Sequence, residues 1–508
     1  MTKRTLFCKN IQEGYNFKGE SIILGGALYE DECQTGTLVK LPLKTLNRHG
    51  LVAGATGTGK TVTVQVLAEQ LSQHGVPVLV MDLKGDLSGL AKPGQNNRHI
   101  TNRHQSIGIP YTSEKMPVEF LSISEEPGVR LRATVSEFGP ILLSKILGLN
   151  DTQSGILSVL TKYCDDQMLP LLDLKDIKQL LRYTTSDGKA VIEQHYGHIS
   201  DASVSTILRK IIELEHQGAD RFFGERSFDV NHLLRTDPTG RGFISVIRLT
   251  DIQDQPKLFS TFMLCLLAEI YDRFPEEGDL DKPKLVLFID EAHLIFEEAS
   301  KPLLSQIETI IKLIRSKGVG IFFCTQNPED IPDSVLSQLG LKVQHALRAF
   351  TAKDRKMITK IADNYPLSEF YQTSQMLTSL GIGEALVTAL NEKGIPTPLA
   401  ATLLRAPQSQ MGILQNEEVQ KIVAQSNLVP IYNQLIDRQS AYEMLTEKMA
   451  SAESKPIPPV QQEDKLMSTF ENLSKNTMAR QIGRTVAREI TRGLLGVLGI
   501  SSKSRRSR

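Results

Sequence analysis

The segment Gly54-Ala55-Thr56-Gly57-Thr58-Gly59-Lys60-Thr61 constrains this chain more than any other, because it fits the pattern G-x-x-x-x-G-K-[ST]. Glycines let such a loop wrap closely around phosphate groups, and the N-terminus of a following helix adds positive charge. An apolar run at residues 51–53 predicts a buried strand before the loop. A helix is predicted after it by the helical spacing of Val62, Val66, Leu67 and Leu71. Strand, loop and helix in this order indicate a phosphate-binding loop (P-loop) in an α/β fold.

The predicted ligand of this loop is ATP with Mg²⁺. Lys60 would reach the β- and γ-phosphates, and the Thr61 hydroxyl would bind Mg²⁺. We expect the nucleotide to contact Gly54, Ala55, Thr56, Gly57, Thr58, Gly59, Lys60, Thr61 and Val62.

A second motif follows about 230 residues later, where an apolar run at residues 284–289 ends in Asp290 and Glu291. A near-continuous apolar run is typical of a buried parallel strand, which would deliver both acids to the sheet edge beside the P-loop. Asp290 is predicted to bind Mg²⁺, and Glu291 is predicted to orient and deprotonate the attacking water. Together the two motifs predict ATP hydrolysis.

Three further polar residues have two interpretations each. Gln326 ends a predicted strand at residues 319–327, where it would sense the γ-phosphate or simply form a turn. Arg315 ends a predicted helix at residues 306–317, where it would reach a neighbouring subunit's nucleotide as an arginine finger or merely stabilise the helix C-terminus. Arg348, after a predicted strand at residues 343–347, is the second finger candidate.

Other charged residues give weaker indications. A strand at residues 76–82 completes a strand–helix–strand unit, and Asp82 or Asp86 after it would assist Mg²⁺ or water, or cap a helix. The stretch 91–115 predicts an exposed loop whose basic residues are expected to be solvated, with contact to a polyanion as the alternative. The candidates for that contact are Lys92, Arg98 and Arg103.

The pattern of elements predicts a RecA-like P-loop NTPase core, mainly a parallel sheet, with four flanking parts. Residues 1–48 predict a small β-rich N-terminal segment, with strands at 21–24 and 37–39 separated by Gly25-Gly26 and an acidic turn. The core spans 49–405 and contains a helical insertion at about 136–235. A helical extension at 406–454, a proline-rich linker at 455–462 and a basic amphipathic tail at 463–508 follow.

Five segments in this order resemble the HerA/FtsK superfamily of P-loop ATPases and, within it, the bacterial HerA-like proteins of the YjgR type. They are the P-loop, Asp82-Leu83-Lys84-Gly85-Asp86, Phe288-Ile289-Asp290-Glu291-Ala292-His293, Arg315-Ser316-Lys317-Gly318-Val319-Gly320 and Thr325-Gln326-Asn327-Pro328. The resemblance covers residues 15–405. It implies a hexameric ring with ATP between subunits and double-stranded DNA as substrate.

The resemblance also implies roles for individual residues: Lys60 and Thr61 for phosphate and Mg²⁺, Asp290 for Mg²⁺, Glu291 as the base, Gln326 as the sensor and Arg315 as the finger. HerA works beside a nuclease, which makes a nuclease or another protein an expected partner. The N-terminal 48 residues are shorter than the β-barrel by which HerA docks that nuclease.

The charge distribution and the cysteines limit which partners and which cellular location are expected. Fifty-eight basic residues balance fifty-eight acidic ones, but residues 475–508 hold nine Lys or Arg against one Glu. In the tail, Arg480, Arg484, Arg488 and Arg492 form one helical stripe, which suits a membrane surface, a nucleic-acid backbone, an acidic partner or plain solvent. Five scattered cysteines, no apolar leader and no long apolar run predict a cytoplasmic protein without a membrane-spanning segment.

The sequence therefore predicts a Mg²⁺-dependent ring ATPase that moves on or remodels double-stranded DNA. The alternative is an ATP-dependent switch or scaffold that presents its basic tail to a protein or membrane partner. A small-molecule kinase is a third interpretation, against which the acid at Glu291 favours water as the acceptor.

Overall fold

A computed structural model of the chain describes residues 2–278, 280–296 and 301–453. Within these residues the strands are β1 (Ser21–Tyr29), β2 (Glu32–Pro42), β3 (Gly50–Ala53), β4 (Val78–Asp82), β5 (Val118–Ser122), β6 (Val129–Arg130), β7 (Ile244–Arg248), β8 (Leu285–Ile289), β9 (Val319–Thr325), β10 (Leu341–Gln344), β11 (Glu384–Thr388) and β12 (Ala400–Leu404). All of them join one sheet, in the order β2-β1-β12-β11-β10-β3-β9-β8-β4-β7-β5-β6.

The helices of the described residues are α1 (Lys3–Gly14), α2 (Lys60–Gln73), α3 (Arg98–Ile107), α4 (Val135–Ile146), α5 (Asp151–Gln167), α6 (Leu174–Thr185), α7 (Lys189–Tyr196), α8 (Asp201–His216), α9 (Pro256–Arg273), α10 (His293–Phe296), α11 (Lys301–Ile314), α12 (Asp333–Leu336), α13 (Ala352–Ala362), α14 (Thr373–Ser379), α15 (Asn416–Ala424), α16 (Val429–Tyr432) and α17 (Ala441–Glu453).

The sheet is parallel from β10 through β3, β9, β8, β4, β7 and β5 to β6. The other edge, from β11 to β2, is antiparallel. Strands β3, β4, β8 and β9 are buried along their whole length, which explains their near-continuous apolar sequences. The prediction of an α/β fold with a mainly parallel sheet is confirmed.

Helices cover both faces of this sheet, and neighbouring residues of a strand face different layers. In β3, Leu51 packs in the core that also contains α9 and α11, whereas Val52 packs in the core that contains α2. The same alternation in β8 and β9 brings Phe288 and Phe322 together with ring centroids 5.1 Å apart. Three layers therefore hold the loops at the carboxyl ends of the parallel strands in fixed positions.

The N-terminal segment is continuous with the main sheet. The predicted strands at 21–24 and 37–39 lie within β1 and β2, but α1 before them was not predicted. The prediction that Gly25-Gly26 separates strands is wrong, because both glycines lie inside β1. A Cβ atom on Gly25 would lie 2.0 Å from the carbonyl oxygen of Leu403, so the glycine is needed for close pairing with β12.

The prediction of an exposed loop at 91–115 is also wrong. Asn97 accepts a hydrogen bond from the Ile100 N–H and caps α3, whose buried side chains are Ile100, His104 and Ile107. Their spacing of three and four residues is the helical repeat, which the polar composition of the stretch concealed. Helix α3 packs against β1 and β2.

Helices α4 to α8 occupy residues 135–216 between β6 and β7, and α15 to α17 follow the last strand. Helix α17 packs on α6, where Asp176 Oδ1 accepts the Tyr442 N–H at 2.8 Å. Helices α15, α16 and α17 lie within the stretch 406–454, for which a helical extension was predicted. The predicted linker at 455–462 and the tail at 463–508 lie outside the described residues.

Candidate active site

The P-loop connects β3 to α2 at the carboxyl edge of the parallel sheet. Backbone hydrogen bonds fasten it to both neighbouring strands, since Gly54 N–H donates to Thr325 O at 3.3 Å and Ala55 N–H donates to Ala346 O at 2.9 Å. On the far side, Gly383 N–H donates to Thr58 O at 3.0 Å. The loop is thus held from three directions before any ligand binds.

Glycine is required at Gly54 by space as well as by backbone conformation. Its φ is 151°, and a Cβ atom there would lie 2.5 Å from Cβ of His345. His345 is fully buried at the end of β10, and its Nε2 lies 2.9 Å from the hydroxyl of Thr63 in the first turn of α2. Burial lowers the pKa of this imidazole to about 4, and the nearby Lys60 acts in the same direction. A neutral histidine therefore supports the loop from behind.

Lys60 begins α2 and turns its ammonium back over the loop. Its Nζ donates to Gly54 O at 2.7 Å and to Ala55 O at 3.2 Å. Burial lowers the pKa of Lys60, while the carboxylates of Glu291 and Asp290 act in the opposite direction. The ammonium of Lys60 is thus bound to the P-loop backbone and lies within range of the charges of both acids.

Strand β8 ends at Ile289 and delivers Asp290 and Glu291 to the same edge. Glu291 has a φ of 47°, a left-handed conformation that is uncommon for glutamate and indicates a constrained position. Its Oε1 binds the ammonium of Lys84, from the turn after β4. Burial alone would raise the pKa of Glu291, but the hydrogen bond and charge of Lys84 bring it below its ordinary value. Glu291 is therefore held as a carboxylate.

Gln326 contacts the P-loop from the end of β9. It follows β9, and its Oε1 accepts the hydroxyl of Thr56 at 3.0 Å. Gln326 also helps to lower the pKa of Glu291, after the larger effects of burial and Lys84. The loops that follow β3, β8 and β9 thus come together at the carboxyl ends of the parallel strands.

Oxygen atoms at this edge fit a magnesium ion. Burial raises the pKa of Asp290 to about 6, and the charge of Glu291 acts in the same direction. Burial raises the pKa of Asp82 to about 7, and the charges of Asp290 and Asp86 add to the effect. Asp82 Oδ1 and Glu291 Oε2 are buried and make no hydrogen bond to any described residue. Carboxylate and hydroxyl oxygens are the ligands that Mg²⁺ prefers. Thr61 and Asp290 are the residues that would hold it, and Asp82 stands next to Asp290 on the neighbouring strand.

The two candidate arginine fingers lie at opposite ends of the parallel strands. Arg315 precedes the amino end of β9, and the carboxyl end of β9 pairs with Ala53 beside the P-loop. The seven residues of β9 separate these two ends by about 20 Å, at about 3.3 Å per residue. Arg315 therefore cannot reach the nucleotide site of its own chain. Arg348 is exposed on the P-loop edge, two residues after Ala346.

The basic residues of the stretch 91–115 are mostly engaged within the chain. Arg103 donates to the carbonyl oxygens of Gly383 and Leu404 at 3.0 Å each, and Lys92 forms an ion pair with Glu418. Arg98 is exposed. The expectation that all three are solvated is wrong for Arg103, whereas the side chain of Lys92 is paired with Glu418 and still 38% exposed.

Two residues of the site were not identified from the sequence. Lys84 lies in the turn 82–86, where only the two acids were considered, although a lysine after a strand end is a candidate partner for any carboxylate at that edge. His345 lies on the strand next to β3, and no local pattern indicates its contact with Thr63.

Known proteins resemble this chain in sequence and in fold. The family described as helicase HerA-like C-terminal matches residues 28–470. The DNA double-strand break repair helicase HerA of Saccharolobus solfataricus is 23% identical over 355 residues, which cover 69% of this chain and 63% of that protein. The probable helicase MJECL08 of Methanocaldococcus jannaschii is 26% identical over 387 residues, which cover 72% of this chain and 68% of that protein.

Among solved structures, the plasmid coupling protein TrwB in complex with ADP and Mg²⁺ superposes with a TM-score of 0.52 at 15% identity. The match covers 78% of this chain and 96% of TrwB. This chain therefore has the RecA-like P-loop ATPase fold. No helix among the described residues combines the length and the apolar character needed to cross a membrane.

Proposed function

The chain belongs to the helicase HerA-like family, and from that premise we propose that it hydrolyses ATP in a ring of identical subunits acting on double-stranded DNA. The observation that carries the proposal is the position of Gln326, which accepts the Thr56 hydroxyl of the P-loop at 3.0 Å and helps to lower the pKa of Glu291. The loop that would bind the phosphates and the carboxylate that would activate water therefore lie near each other at the carboxyl ends of the parallel strands.

In the proposed reaction Lys60 leaves its contacts with Gly54 O and Ala55 O and binds the β- and γ-phosphates. Glu291 accepts a proton from water as the water oxygen attacks the γ-phosphorus. The bond from that phosphorus to the β,γ-bridging oxygen breaks, which gives ADP and inorganic phosphate. Thr61 and Asp290 would hold Mg²⁺, whose positive charge would offset the charge on the phosphate oxygens. Gln326 would report the presence of the γ-phosphate.

In the proposed ring, Arg315 would act on the nucleotide of a neighbouring subunit, because it lies about 20 Å from its own P-loop. Arg348, on the P-loop edge, is the alternative finger. The number of subunits is expected to be six, as in the superfamily that the sequence resembles.

DNA as the substrate is supported by the relatives, one of which is named a DNA double-strand break repair helicase. A nuclease or another protein is the proposed partner on the strength of the sequence resemblance alone. The chain matches only 63% of that relative's length, so its full activity does not follow from the match alone.

The deciding experiment measures the ATPase rate of the full chain with and without linear double-stranded DNA. A rise with DNA that is abolished in Glu291→Gln supports the proposal, because that substitution keeps the size of the side chain and removes the base. Gln326→Ala is expected to retain ATP binding and lose most of the stimulation. An ATPase rate that does not change with DNA, together with a chain that stays monomeric in every nucleotide state, would refute the proposal of a DNA-acting ring.

The second candidate function is a slow ATP-dependent switch that presents residues 463–508 to a protein or membrane. It is favoured by the excess of nine Lys or Arg over one Glu at residues 475–508. ATPase activity that does not respond to DNA, with partner binding lost on removal of residues 455–508, would select this function over the first.

A further inference from the structure

A buried ion pair lies at the carboxyl ends of the parallel strands, beyond β4. It joins Arg248, the last residue of β7, to Glu126 in the loop between β5 and β6, with Nη2 of the arginine 2.7 Å from Oε2 of the glutamate. The two side chains are 7% and 8% exposed. In the sheet β7 lies directly beside β4, and Arg248 is in register with Asp82 at the end of β4. The ion pair is therefore one strand away from the turn 82–86, which carries Lys84.

This ion pair is better explained by the geometry that it imposes than by a gain in stability. Removing two charges from water largely offsets their attraction for each other, so a buried ion pair contributes little net stability. Nε and Nη1 of Arg248 are buried and make no hydrogen bond to any residue that the structure describes. Glu126 is the ion-pair partner of this guanidinium, and the guanidinium in turn keeps the Glu126 carboxylate in a fixed place.

Thr250 connects the Glu126 carboxylate to the turn. Its hydroxyl donates a hydrogen bond to Oε1 of Glu126, whereas Arg248 binds Oε2. Its methyl group packs over the turn, since a Cβ atom on Gly85 would lie 3.4 Å from Cγ2 of Thr250. Gly85 follows Lys84 directly and has a φ of 80°, a conformation that favours glycine. The position of Glu126 therefore determines where Thr250 packs against the turn.

The segment that contains Thr250 also holds the backbone just before Lys84. Leu249 N–H donates to the carbonyl oxygen at the end of β4, that of residue 82, at 3.1 Å. Nε2 of Gln253 donates to Leu83 O at 2.5 Å. These two contacts precede the lysine in sequence and the methyl contact follows it, so the turn is held on both sides.

The ammonium of Lys84 needs this support because its own contacts do not fix it strongly. The Lys84 side chain is 44% exposed and binds the carboxylate of Glu291, which is 9% exposed. The ion pair of a partly exposed lysine is weak, and the lysine stem is flexible. The place of the ammonium therefore depends on where the backbone of the turn lies. A displacement of about 1 Å in an active site can lower a rate about a hundredfold.

We propose that the ion pair of Glu126 and Arg248 positions the carboxylate of Glu291 by fixing the turn whose lysine binds it. Glu126 and Arg248 are positioning residues, since both act through the turn. The inference rests on the ATPase function proposed above. It predicts an effect on the chemical step with little effect on ATP binding, because the P-loop follows β3, which lies four strands away from β7 in the sheet.

The first test measures steady-state ATP hydrolysis by the full chain with Mg²⁺ after the substitution Glu126→Gln. Glutamine keeps the size of the side chain and an oxygen that accepts the Thr250 hydroxyl, but it removes the charge that Arg248 binds. We expect kcat to fall on the order of tenfold and KM for ATP to stay within about twofold. An unchanged kcat would overturn the proposal.

Glu119→Gln is the matched control. Glu119 lies near the amino end of β5, its side chain is 6% exposed, and its Oε2 is 2.7 Å from Nη2 of Arg235. The control removes the same charge from an ion pair of the same length, at the other end of the strand from the turn. Its kcat is expected to stay within about twofold of wild type. An equal loss of kcat in Glu119→Gln and Glu126→Gln would assign the effect to a broken ion pair in general and would contradict a positioning role.

A double-mutant cycle with Lys84→Met separates positioning from a general structural role. When the lysine is absent, the ion pair has no ammonium left to position. Glu126→Gln is therefore expected to lower the single-turnover rate by less than about twofold further in the Lys84→Met chain. The full tenfold loss in that background would mean that Glu126 acts by another route, and the proposal would be refuted.

Two milder substitutions keep the test decisive if Glu126→Gln does not fold. Thr250→Val removes the hydroxyl that binds Glu126, and Gln253→Ala removes an exposed side chain that binds Leu83 O. Both leave the ion pair with Arg248 in place. Combined, they are expected to lower kcat at least about threefold at nearly constant KM, and an unchanged kcat would overturn the proposal. A wild-type chain without ATPase activity would instead refute the proposed function, so the two failures are distinguishable.

Discussion

Acidification is expected to destabilise this protein through His49, the residue immediately before β3. Its imidazole is fully buried between α11 and β9, with Nε2 2.8 Å from Ile311 O and Nδ1 accepting the Ile321 N–H at 3.0 Å. These contacts require a neutral ring with its hydrogen on Nε2. Protonation of Nδ1 would break the bond to Ile321 and bury a charge. Burial accordingly lowers the pKa of His49 to about 4, and Arg315 adds to the effect.

The sign and size of the effect follow from proton linkage. The unfolded histidine has a pKa of about 6.5, so on acidification the unfolded chain binds the proton before the folded chain does. The stabilisation from neutral His49 is complete above about pH 6.5 and is lost as the pH falls toward about 4. A shift between these two values removes about 2 kcal/mol from the free energy of unfolding between about pH 7.5 and about pH 5.

The assay is urea unfolding followed by far-UV circular dichroism, because the chain contains no tryptophan for fluorescence. The variant is His49→Asn, chosen because His49 has a φ of 54° and asparagine tolerates this left-handed conformation. The variant is less stable at about pH 7.5, where it lacks a buried hydrogen bond. Its deficit relative to wild type should shrink by about 2 kcal/mol at about pH 5, since the other titrating groups cancel in the comparison.

A deficit that stays constant with pH to within about 0.5 kcal/mol would refute the reasoning, because it would mean that His49 does not titrate differently in the folded and unfolded chains. His345, whose pKa is also lowered to about 4, acts in the same direction in both proteins and leaves the comparison unchanged.

Three further predictions follow from single contacts. Lys84→Met removes the ammonium that binds Oε1 of Glu291 and should lower kcat by up to about a hundredfold at nearly constant ATP affinity. Lys84→Arg should restore part of the lost activity. Steady-state kinetics and a binding titration measure these effects, and an unchanged kcat in Lys84→Met would contradict the prediction. Gly54→Ala places a Cβ atom 2.5 Å from His345 Cβ at a φ of 151° and should lower the free energy of unfolding by roughly 1–3 kcal/mol and abolish ATP binding, both measurable by nucleotide-dependent thermal melting. Gly155→Ala, in α5 with no atom within 4 Å of the added Cβ, should instead raise the unfolding free energy by roughly 0.5–1 kcal/mol in the same assay, and a loss there would contradict this account of the glycines.

Several features of the site could be read from sequence because they depend on neighbours along the chain. The P-loop pattern, the apolar run before Asp290 and the polar end of β9 at Gln326 each occupy fewer than about fifteen consecutive residues. Parallel strands place their carboxyl ends at one edge, so these segments could be expected to meet without knowledge of the packing. The roles of Lys60, Thr61 and the other nucleotide-contacting residues remain predictions, since they concern a bound ligand.

The predictions from sequence failed where the local composition of a segment does not reflect its environment in the folded chain. Helix α3 is rich in polar residues, and only its cap at Asn97 and three buried side chains distinguish it from a loop. Arg103 resembles a surface charge in sequence, yet the carbonyl oxygens that it binds lie about 280 and 301 positions further along the chain. No short-range pattern encodes contacts of this kind.

The P-loop, the acidic end of β8 and the α/β class could be predicted from the sequence, because phosphate binding and strand burial impose local rules on residue type. Three features became visible only in the folded chain: Lys84 binds Glu291 across 207 positions, His345 contacts Thr63 behind the P-loop, and Arg315 lies at the opposite end of β9 from the P-loop. Side-chain partners depend on the order of strands in the sheet, and the periodicity of any one segment does not specify that order.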